Sequence, residues 1–228
     1  MKRLMFVLSL MAIANFAAET ASAGPIIDTP TGLVAGDHFR LAFVTTGTTK
    51  ATSSDVATYD TFVTNQALGA TYNGNTITWQ ALVSSSTVNV RTHVGETGAA
   101  VYLVDGTKVA GTDSIPGLWS GAFLHAIDED INQVTKTGYV WTGTNYDGKT
   151  GSNPVGQSSV NYGNLASSDV WLDFGQYLNS ASYHVYGISE ELTVPSAAPV
   201  PEPSTFALLG LGGIGLVVRT LRRRRVTV

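Results

Sequence analysis

The sequence predicts an α+β domain built mostly from short antiparallel strands and loops, with one main helix. Only 13% of the 228 residues are charged, against roughly 25% in an average soluble domain, and Ser, Thr, Asn and 24 Gly take their place. This composition favours strands and turns. The chain has no Cys, so neither disulfides nor thiolate-bound metal can hold the fold. Four Trp and nine Tyr predict a small core fixed by aromatic side chains.

The first predicted elements are a strand and the helix. Residues 38–46 alternate as a strand, with Phe39, Leu41 and Phe43 on one face. Asp55, preceded by two serines, is a candidate N-cap for the helix. The apolar side chains of that helix recur at helical spacing: Val56, Tyr59, Phe62, Val63 and Ala67. We expect this to be the only long helix of the domain.

Two hairpins and three more strands follow along the chain. Residues 72–75 (TyrAsnGlyAsn) are typical of a hairpin turn leading toward Trp79, and residues 100–109 form a second hairpin that turns at Asp105 and Gly106. The remaining strands are predicted at residues 139–144, 169–174 and 183–194.

The four tryptophans have two interpretations. We expect at least three of them in the core, because a domain with few aliphatic residues needs large apolar anchors. The alternative is a sugar-stacking platform, since flat rings complement the faces of pyranose sugars. The four residues concerned are Trp79, Trp119, Trp141 and Trp171.

The amino-terminal 23 residues have the pattern of a secretory signal peptide. A basic start at residues 1–3 precedes an apolar run at residues 4–14, and small residues at Ala21 and Ala23 fit a signal peptidase site. We therefore expect residues 1–23 to direct export through the Sec translocon and the mature body to begin at Gly24. An exported chain without Cys must rely on ordinary packing or bound ions.

The carboxyl-terminal segment is organised in three parts. Residues 195–205 form a Pro-rich linker, residues 206–218 are apolar or Gly without a charge, and residues 219–228 are a basic tail. A helix of the thirteen central residues would cover about 20 Å, less than the ~30 Å of a hydrocarbon core. The basic tail predicts a cytoplasmic end, which leaves the body outside. Its anchoring residues are Arg219, Arg222, Arg223, Arg224 and Arg225.

The order of these three carboxyl-terminal parts resembles the PEP-CTERM sorting signal. The resemblance lies in a ProGluPro motif, a short Gly-rich apolar stretch and terminal arginines, between residues 200 and 225. It implies that the precursor pauses in the inner membrane, that an exosortase recognises the motif, and that the body then reaches the envelope or an exopolysaccharide matrix. The motif residues are Val200, Pro201, Glu202 and Pro203.

The charge distribution excludes one class of partner. Between residues 24 and 200 the chain has fifteen acidic and six basic residues, a net charge of −9. An acidic surface repels phosphate backbones, so we expect no nucleic-acid binding by the body.

The order of segments in the body, residues 24–194, resembles the C-type-lectin-like domains of secreted bacterial proteins. The resemblance is carried by RLAFVTT before the helix, then VYLVDGTKVA, VWTGTN, VWLDFG and the closing SYHVYGISEEL. It implies a lectin-like fold. The two disulfides usual in that fold are absent, and no GluProAsn or GlnProAsp triplet occurs, so calcium-dependent sugar recognition is not implied.

Catalytic and metal-binding motifs are weak. Residues 143–150 match the P-loop pattern, but the Gly and Pro that follow predict a turn without the required helix. Asp128, Glu129 and Asp130 form either a solvated acidic loop or a structural calcium site. The four His have no zinc-site spacing.

The sequence therefore predicts a non-enzymatic surface or biofilm-associated interaction protein without a required cofactor. The alternatives are a carbohydrate-binding module, with or without calcium, and a secreted hydrolase.

Overall fold

The computed structural model describes residues 24–111, 117–120 and 124–196. These residues form a mostly β structure with two helices, of which one is long. The strands are β1 Ile26–Ile27, β2 His38–Val44, β3 Thr49–Lys50, β4 Thr71–Tyr72, β5 Asn75–Thr76, β6 Trp79–Ala81, β7 Ala100–Leu103, β8 Lys108–Ala110, β9 Tyr139–Trp141, β10 Ser159–Asn164, β11 Gly175–Leu178, β12 Ser182–Ser189 and β13 Leu192–Thr193. The helices are α1 Val56–Gln66 and α2 Val90–Val94.

A mixed sheet of ten strands organises the described residues. Its main path is β11-β10-β9-β12-β2-β7-β8, while β3 and β6 also pair with β12, and β13 pairs with β2. The smaller sheet has the order β1-β4-β5. Most pairings are antiparallel as predicted, but β1 with β4, β2 with β7, and β9 with β12 are parallel.

The central strand β2 is buried on both faces. Phe39, Leu41 and Phe43 belong to one core cluster together with residues of α1, and Ala42 and Val44 belong to a second cluster on the opposite face. Alternating side chains of a strand point to opposite faces, so β2 can contribute to both cores. The sheet is thus covered by α1 on one side and by α2 and long loops on the other.

The helix α1 begins and packs as the sequence predicts. The Asp55 carboxylate caps it by accepting a hydrogen bond from the backbone N–H of Ala57. Tyr59 and Val63 are its fully buried residues. Gly187 of β12 lies under the helix, where a Cβ atom would come within 2.5 Å of side-chain atoms of Val63 and Phe43. The absence of a side chain at Gly187 therefore lets α1 approach the sheet.

Both predicted hairpins are confirmed. Asn73 and Gly74 join β4 to β5 with φ angles of 47° and 76°, which is the positive-φ pair of a tight I′ turn. Strands β7 and β8 pair on either side of the Asp105–Gly106 turn.

The prediction of a strand at residues 169–174 is wrong. Residues 169–174 form bends, and the consecutive side chains of Trp171 and Leu172 both pack into the same core cluster, whereas a strand would direct them to opposite faces. The donor to the Leu172 carbonyl is the side-chain hydroxyl of Thr142, as in a loop, and not the ladder of a neighbouring strand. The strands in this region are β10 and β11, which the sequence analysis did not predict.

The predicted strand at residues 183–194 is divided into β12 and β13. Ile188 pairs with Ala42, and Leu192 pairs with Phe39, so β12–β13 advances four residues where β2 advances three. The extra residue is a bulge at Glu190 and Glu191.

Candidate functional site

Five aromatic rings gather on one face of the sheet where β9, β10, β11 and β12 meet. Register explains this arrangement. Tyr162 pairs with Trp141, which shares a face with Tyr139, and Tyr177 pairs with Val160, which shares that face with Tyr162. His184 pairs with Val140 on the opposite face, so Tyr183, one residue earlier, lies on the same face as Tyr139. We call the five rings the aromatic platform: Tyr139, Tyr162, Phe174, Tyr177 and Tyr183.

Tyr183 lies at the centre of the platform. Its ring centroid is 5.5 Å from those of Tyr139 and Tyr162, and 6.1 Å from that of Tyr177. Phe174 completes the group by stacking on Tyr139, with centroids 5.8 Å apart and an angle of 23° between the rings. These distances fall in the range of favourable aromatic pairs, so each ring holds its neighbours in place.

Three members of the platform present their rings to solvent. Tyr139 is 38% exposed, Phe174 is 46% exposed and Tyr177 is 52% exposed. Tyr162 and Tyr183 are half-buried beneath them and pack against the core. Exposed large apolar residues that cluster, rather than being scattered singly, indicate an interaction surface.

The platform rests on a buried tryptophan. Trp141 is fully buried, its ring centroid lies 4.5 Å from that of Tyr183, and its indole N–H donates a 3.0 Å hydrogen bond to the Thr49 carbonyl. Gly175 lies opposite Tyr162 across β10 and β11, where a Cβ atom would be 3.3 Å from the Tyr162 hydroxyl oxygen. The layer beneath the exposed rings is therefore closely packed.

The phenol groups of the platform influence one another. Burial raises the pKa of Tyr183, and the neighbouring phenols of Tyr162, Tyr177 and Tyr139 raise it further. The Tyr183 hydroxyl therefore stays protonated at neutral pH, and a phenol group can both donate and accept a hydrogen bond. The surface combines flat apolar faces with neutral polar edges.

The tryptophan platform considered in the sequence analysis is not formed. Trp79, Trp141 and Trp171 are buried, as the core prediction expected, and Trp119 is half-buried against Trp171. The exposed rings are tyrosines and a phenylalanine. One pattern in the sequence could have indicated this aromatic platform. Tyr139 and Trp141 are two residues apart, which places both side chains on one face of a strand.

The acidic triplet is more buried than a solvated loop would be. Asp130 is 1% exposed, and its carboxylate lies 2.8 Å from the Lys136 ammonium. The same carboxylate accepts hydrogen bonds from the Thr46 hydroxyl and from the backbone N–H groups of Asn132 and Val134. The solvated-loop interpretation is therefore wrong for Asp130, whose charge is compensated by Lys136.

The three acids of the triplet have different environments. For Asp130, burial alone would raise the pKa, but the Lys136 ammonium and the other donors together hold it below the ordinary value. For Glu129, burial raises the pKa, and the nearby carboxylates of Asp105 and Asp128 raise it further. Asp128 lies 4.0 Å from the His125 ring. Within the described ranges, no group of three or more His, Cys, Asp or Glu side chains converges as a metal site.

The segment that matches the P-loop pattern is a turn, as predicted. The Gly148 N–H donates to the Asn145 carbonyl, and Thr144 and Thr150 face each other as an isolated β-bridge. No helix follows Lys149 in this part of the structure.

The terminal targeting residues lie outside the described residues. These are the signal peptidase site at Ala21 and Ala23, the motif Val200, Pro201, Glu202 and Pro203, and the basic cluster Arg219, Arg222, Arg223, Arg224 and Arg225. The apolar segment 206–218 also lies outside them. In the part of the chain that the structure describes, neither helix has the length and apolar character needed to cross a bilayer.

Comparison with known families identifies the carboxyl terminus. The family described as the PEP-CTERM protein-sorting motif matches residues 199–225. This match supports an exported surface protein that is sorted to the cell envelope by an exosortase. Comparison of the chain with curated proteins gives no match.

Proposed function

We propose that the body is a non-enzymatic polysaccharide-binding module, carried to the envelope or extracellular matrix by the sorting signal. The observation that supports this proposal most directly is the aromatic platform. Tyr139, Phe174 and Tyr177 expose their rings side by side above a buried aromatic layer.

The chemistry of the platform suits sugar rings. One face of a pyranose ring is lined with C–H groups, which pack on flat aromatic faces, while its hydroxyls can hydrogen-bond to phenol groups at the edge. The net charge of −9 between residues 24 and 200 disfavours acidic polymers. The proposed ligand is therefore a neutral polysaccharide, the kind of polymer that an exported matrix protein would meet.

The route of the precursor belongs to the same proposal. The Sec translocon would export the chain after recognition of residues 1–23, and residues 206–218 would hold it briefly in the inner membrane. Cleavage near Pro201, Glu202 and Pro203 by the exosortase would then release the body. A thirteen-residue apolar stretch with four Gly suits a temporary anchor better than a permanent one.

The C-type-lectin-like resemblance remains part of the proposal for the body. It is supported by the closing strand β12, which pairs antiparallel with β2, the first long strand of the body, and also pairs with β3, β6 and β9. We propose sugar binding without calcium, because the Asp130 carboxylate already has Lys136 as its counterion.

A glycan array tests the proposal directly. The full-length chain, produced in a host without exosortase and purified in mild detergent, is applied with calcium and with a chelator. We expect binding to neutral glycans of equal strength in both conditions. Loss of binding in the chelator would contradict the calcium-free mode. Absence of binding to every glycan in both conditions would refute the polysaccharide function.

A protein-binding surface is the competing interpretation of the same rings. Strand β11 lies at the edge of the sheet path and carries no charged residue, which is the kind of edge that can pair with another chain. Sedimentation of the full chain and of its Tyr177→Ser variant distinguishes self-association from polysaccharide binding. A dimer that becomes a monomer in the variant would assign the platform to self-association and contradict the proposal.

A further inference from the structure

Strands β12 and β13 follow each other end to end and together form one long path beside β2 and β3. Near its start, Tyr183 pairs with Thr49. Farther along, Ile188 pairs with Ala42, and at the end Thr193 pairs with His38. The bulge at Glu190 and Glu191 inserts one residue, and beyond it β13 continues antiparallel to β2, as β12 does.

The length of this path separates the platform from the carboxyl-terminal exit. Ten residue steps join Tyr183 to Thr193, and a strand rises ~3.3 Å per residue, so the two lie roughly 30 Å apart. Tyr183 is the central ring of the aromatic platform. Thr193 is three residues before Ser196, the last described residue of the body.

The amino-terminal residues lie at the exit end of the sheet as well. Ile27 pairs with Tyr72, and the Tyr72 ring contacts Phe39 at the start of β2, with centroids 5.3 Å apart. The Gly36 N–H donates a 2.9 Å hydrogen bond to the Val194 carbonyl, which ties the loop before β2 to the departing chain. Both ends of the described body therefore leave from one pole, and the platform occupies the other.

We propose that the aromatic platform is a distal binding face, which engages neutral polysaccharide on the side of the body directed away from whatever holds the carboxyl terminus. This inference rests on the proposed function. It adds that, for as long as the carboxyl terminus is held on the cell side, the platform of the same molecule can reach polymer farther out. It also predicts that attachment through Ser196 leaves the platform open to polysaccharide.

The natural absence of Cys allows a direct test by oriented attachment. Ser196 is exposed at the exit pole, and Ser180 is exposed in the turn between β11 and β12, beside the platform. Each single-cysteine chain, Ser196→Cys or Ser180→Cys, is biotinylated and captured on a streptavidin surface. A neutral glycan that binds on the array is then passed over it, and the same thiol-capped chains are also measured free in solution.

We expect attachment through Ser196→Cys to preserve the solution affinity and attachment through Ser180→Cys to reduce it at least tenfold. Equal affinity in both orientations, or the reverse order, would overturn the distal placement. If the free wild-type chain binds no glycan, the proposed function itself fails, and this result is distinct because it appears without any surface. Should free Ser180→Cys bind less well than wild type, Lys50→Cys provides a second attachment point, since exposed Lys50 pairs with Ser182 at the same pole.

Discussion

The ring of Tyr183 packs on the ring of Trp141, with their centroids 4.5 Å apart and an angle of 33° between them. This contact joins the exposed face of the sheet to its core, because Trp141 is fully buried and Tyr183 touches the solvent-exposed rings of Tyr139 and Tyr177. Stability and binding should therefore depend on the same layer of aromatic side chains, but to different extents at different positions.

Truncation of Trp141 is expected to damage both properties. Trp141→Ala removes a buried ring and should lower the free energy of unfolding by about 3–5 kcal/mol. Trp141→Phe keeps an aromatic ring and loses the hydrogen bond to Thr49, so its cost should be smaller, about 1–2 kcal/mol. Urea unfolding followed by tryptophan fluorescence measures both. Equal costs for the two variants would contradict the supporting role of the buried ring.

Asp130 is expected to make the fold sensitive to acid. Because its pKa is lowered in the folded state, its charge contributes stability above the ordinary carboxyl value of about 4, and this contribution is lost as the pH falls through the lowered pKa. Asp130→Asn should cost about 2–3 kcal/mol near neutral pH and much less in acid. Urea midpoints across this acid range test the prediction; a cost independent of pH would contradict it.

Glu129 provides the matched comparison, because its pKa is shifted in the opposite direction. A raised folded-state pKa means that its stability contribution is present in acid and is lost as the pH rises through that pKa. Glu129→Gln should therefore stabilise the protein at neutral pH and have little effect in acid. A destabilised Glu129→Gln chain at neutral pH would indicate that the charge of Glu129 has a partner.

Addition of one methyl group at Gly187 is expected to displace helix α1. Side-chain atoms of Phe43 and Val63 would lie 2.5 Å from the new Cβ, which is closer than packed atoms can approach. We expect Gly187→Ala to lower the free energy of unfolding by about 1–3 kcal/mol. Ser182→Ala, at an exposed position of the same strand, is the control and should be neutral. A neutral Gly187→Ala would mean that α1 does not pack as closely as described.

Replacement of the sorting motif is expected to stop processing. With Pro201, Glu202 and Pro203 changed to Ala, the precursor should stay full-length in the inner-membrane fraction of a host that has an exosortase, while a Pro195→Ala chain should be processed normally. Fractionation and intact mass measure both. Unchanged release of the triple variant would contradict exosortase processing at this motif.

Local patterns predicted those elements that local interactions determine. The Asp55 cap and the helical spacing of Tyr59 and Val63 predicted α1. The Asn73–Gly74 pair predicted a hairpin, and both residues have the positive φ angles that its turn requires. Each depends on residues close in sequence. The sorting segment belongs to the same kind, since its recognisable features are contiguous and the family match covers residues 199–225.

The candidate site was harder to predict because it is assembled from distant strands. Tyr162 and Tyr177 lie in β10 and β11, where Gly and Asn weaken the strand pattern. The burial of Asp130 likewise depends on Thr46, which is 84 residues away in sequence. A sequence pattern gives the residue types, but the pairing register decides which of them share a face.

The most direct test of the account compares two double variants on the neutral glycan that the wild-type chain binds best. Phe174→Ser with Tyr177→Ser removes two exposed rings of the platform, whereas Tyr146→Ser with Leu178→Ser removes two large apolar side chains outside it that are more exposed. Titration calorimetry should give at least a tenfold weaker affinity for the platform variant and an unchanged affinity for the control, since each 1.4 kcal/mol of lost contact corresponds to about tenfold. Wild-type affinity in the folded platform variant would contradict polysaccharide binding by these rings.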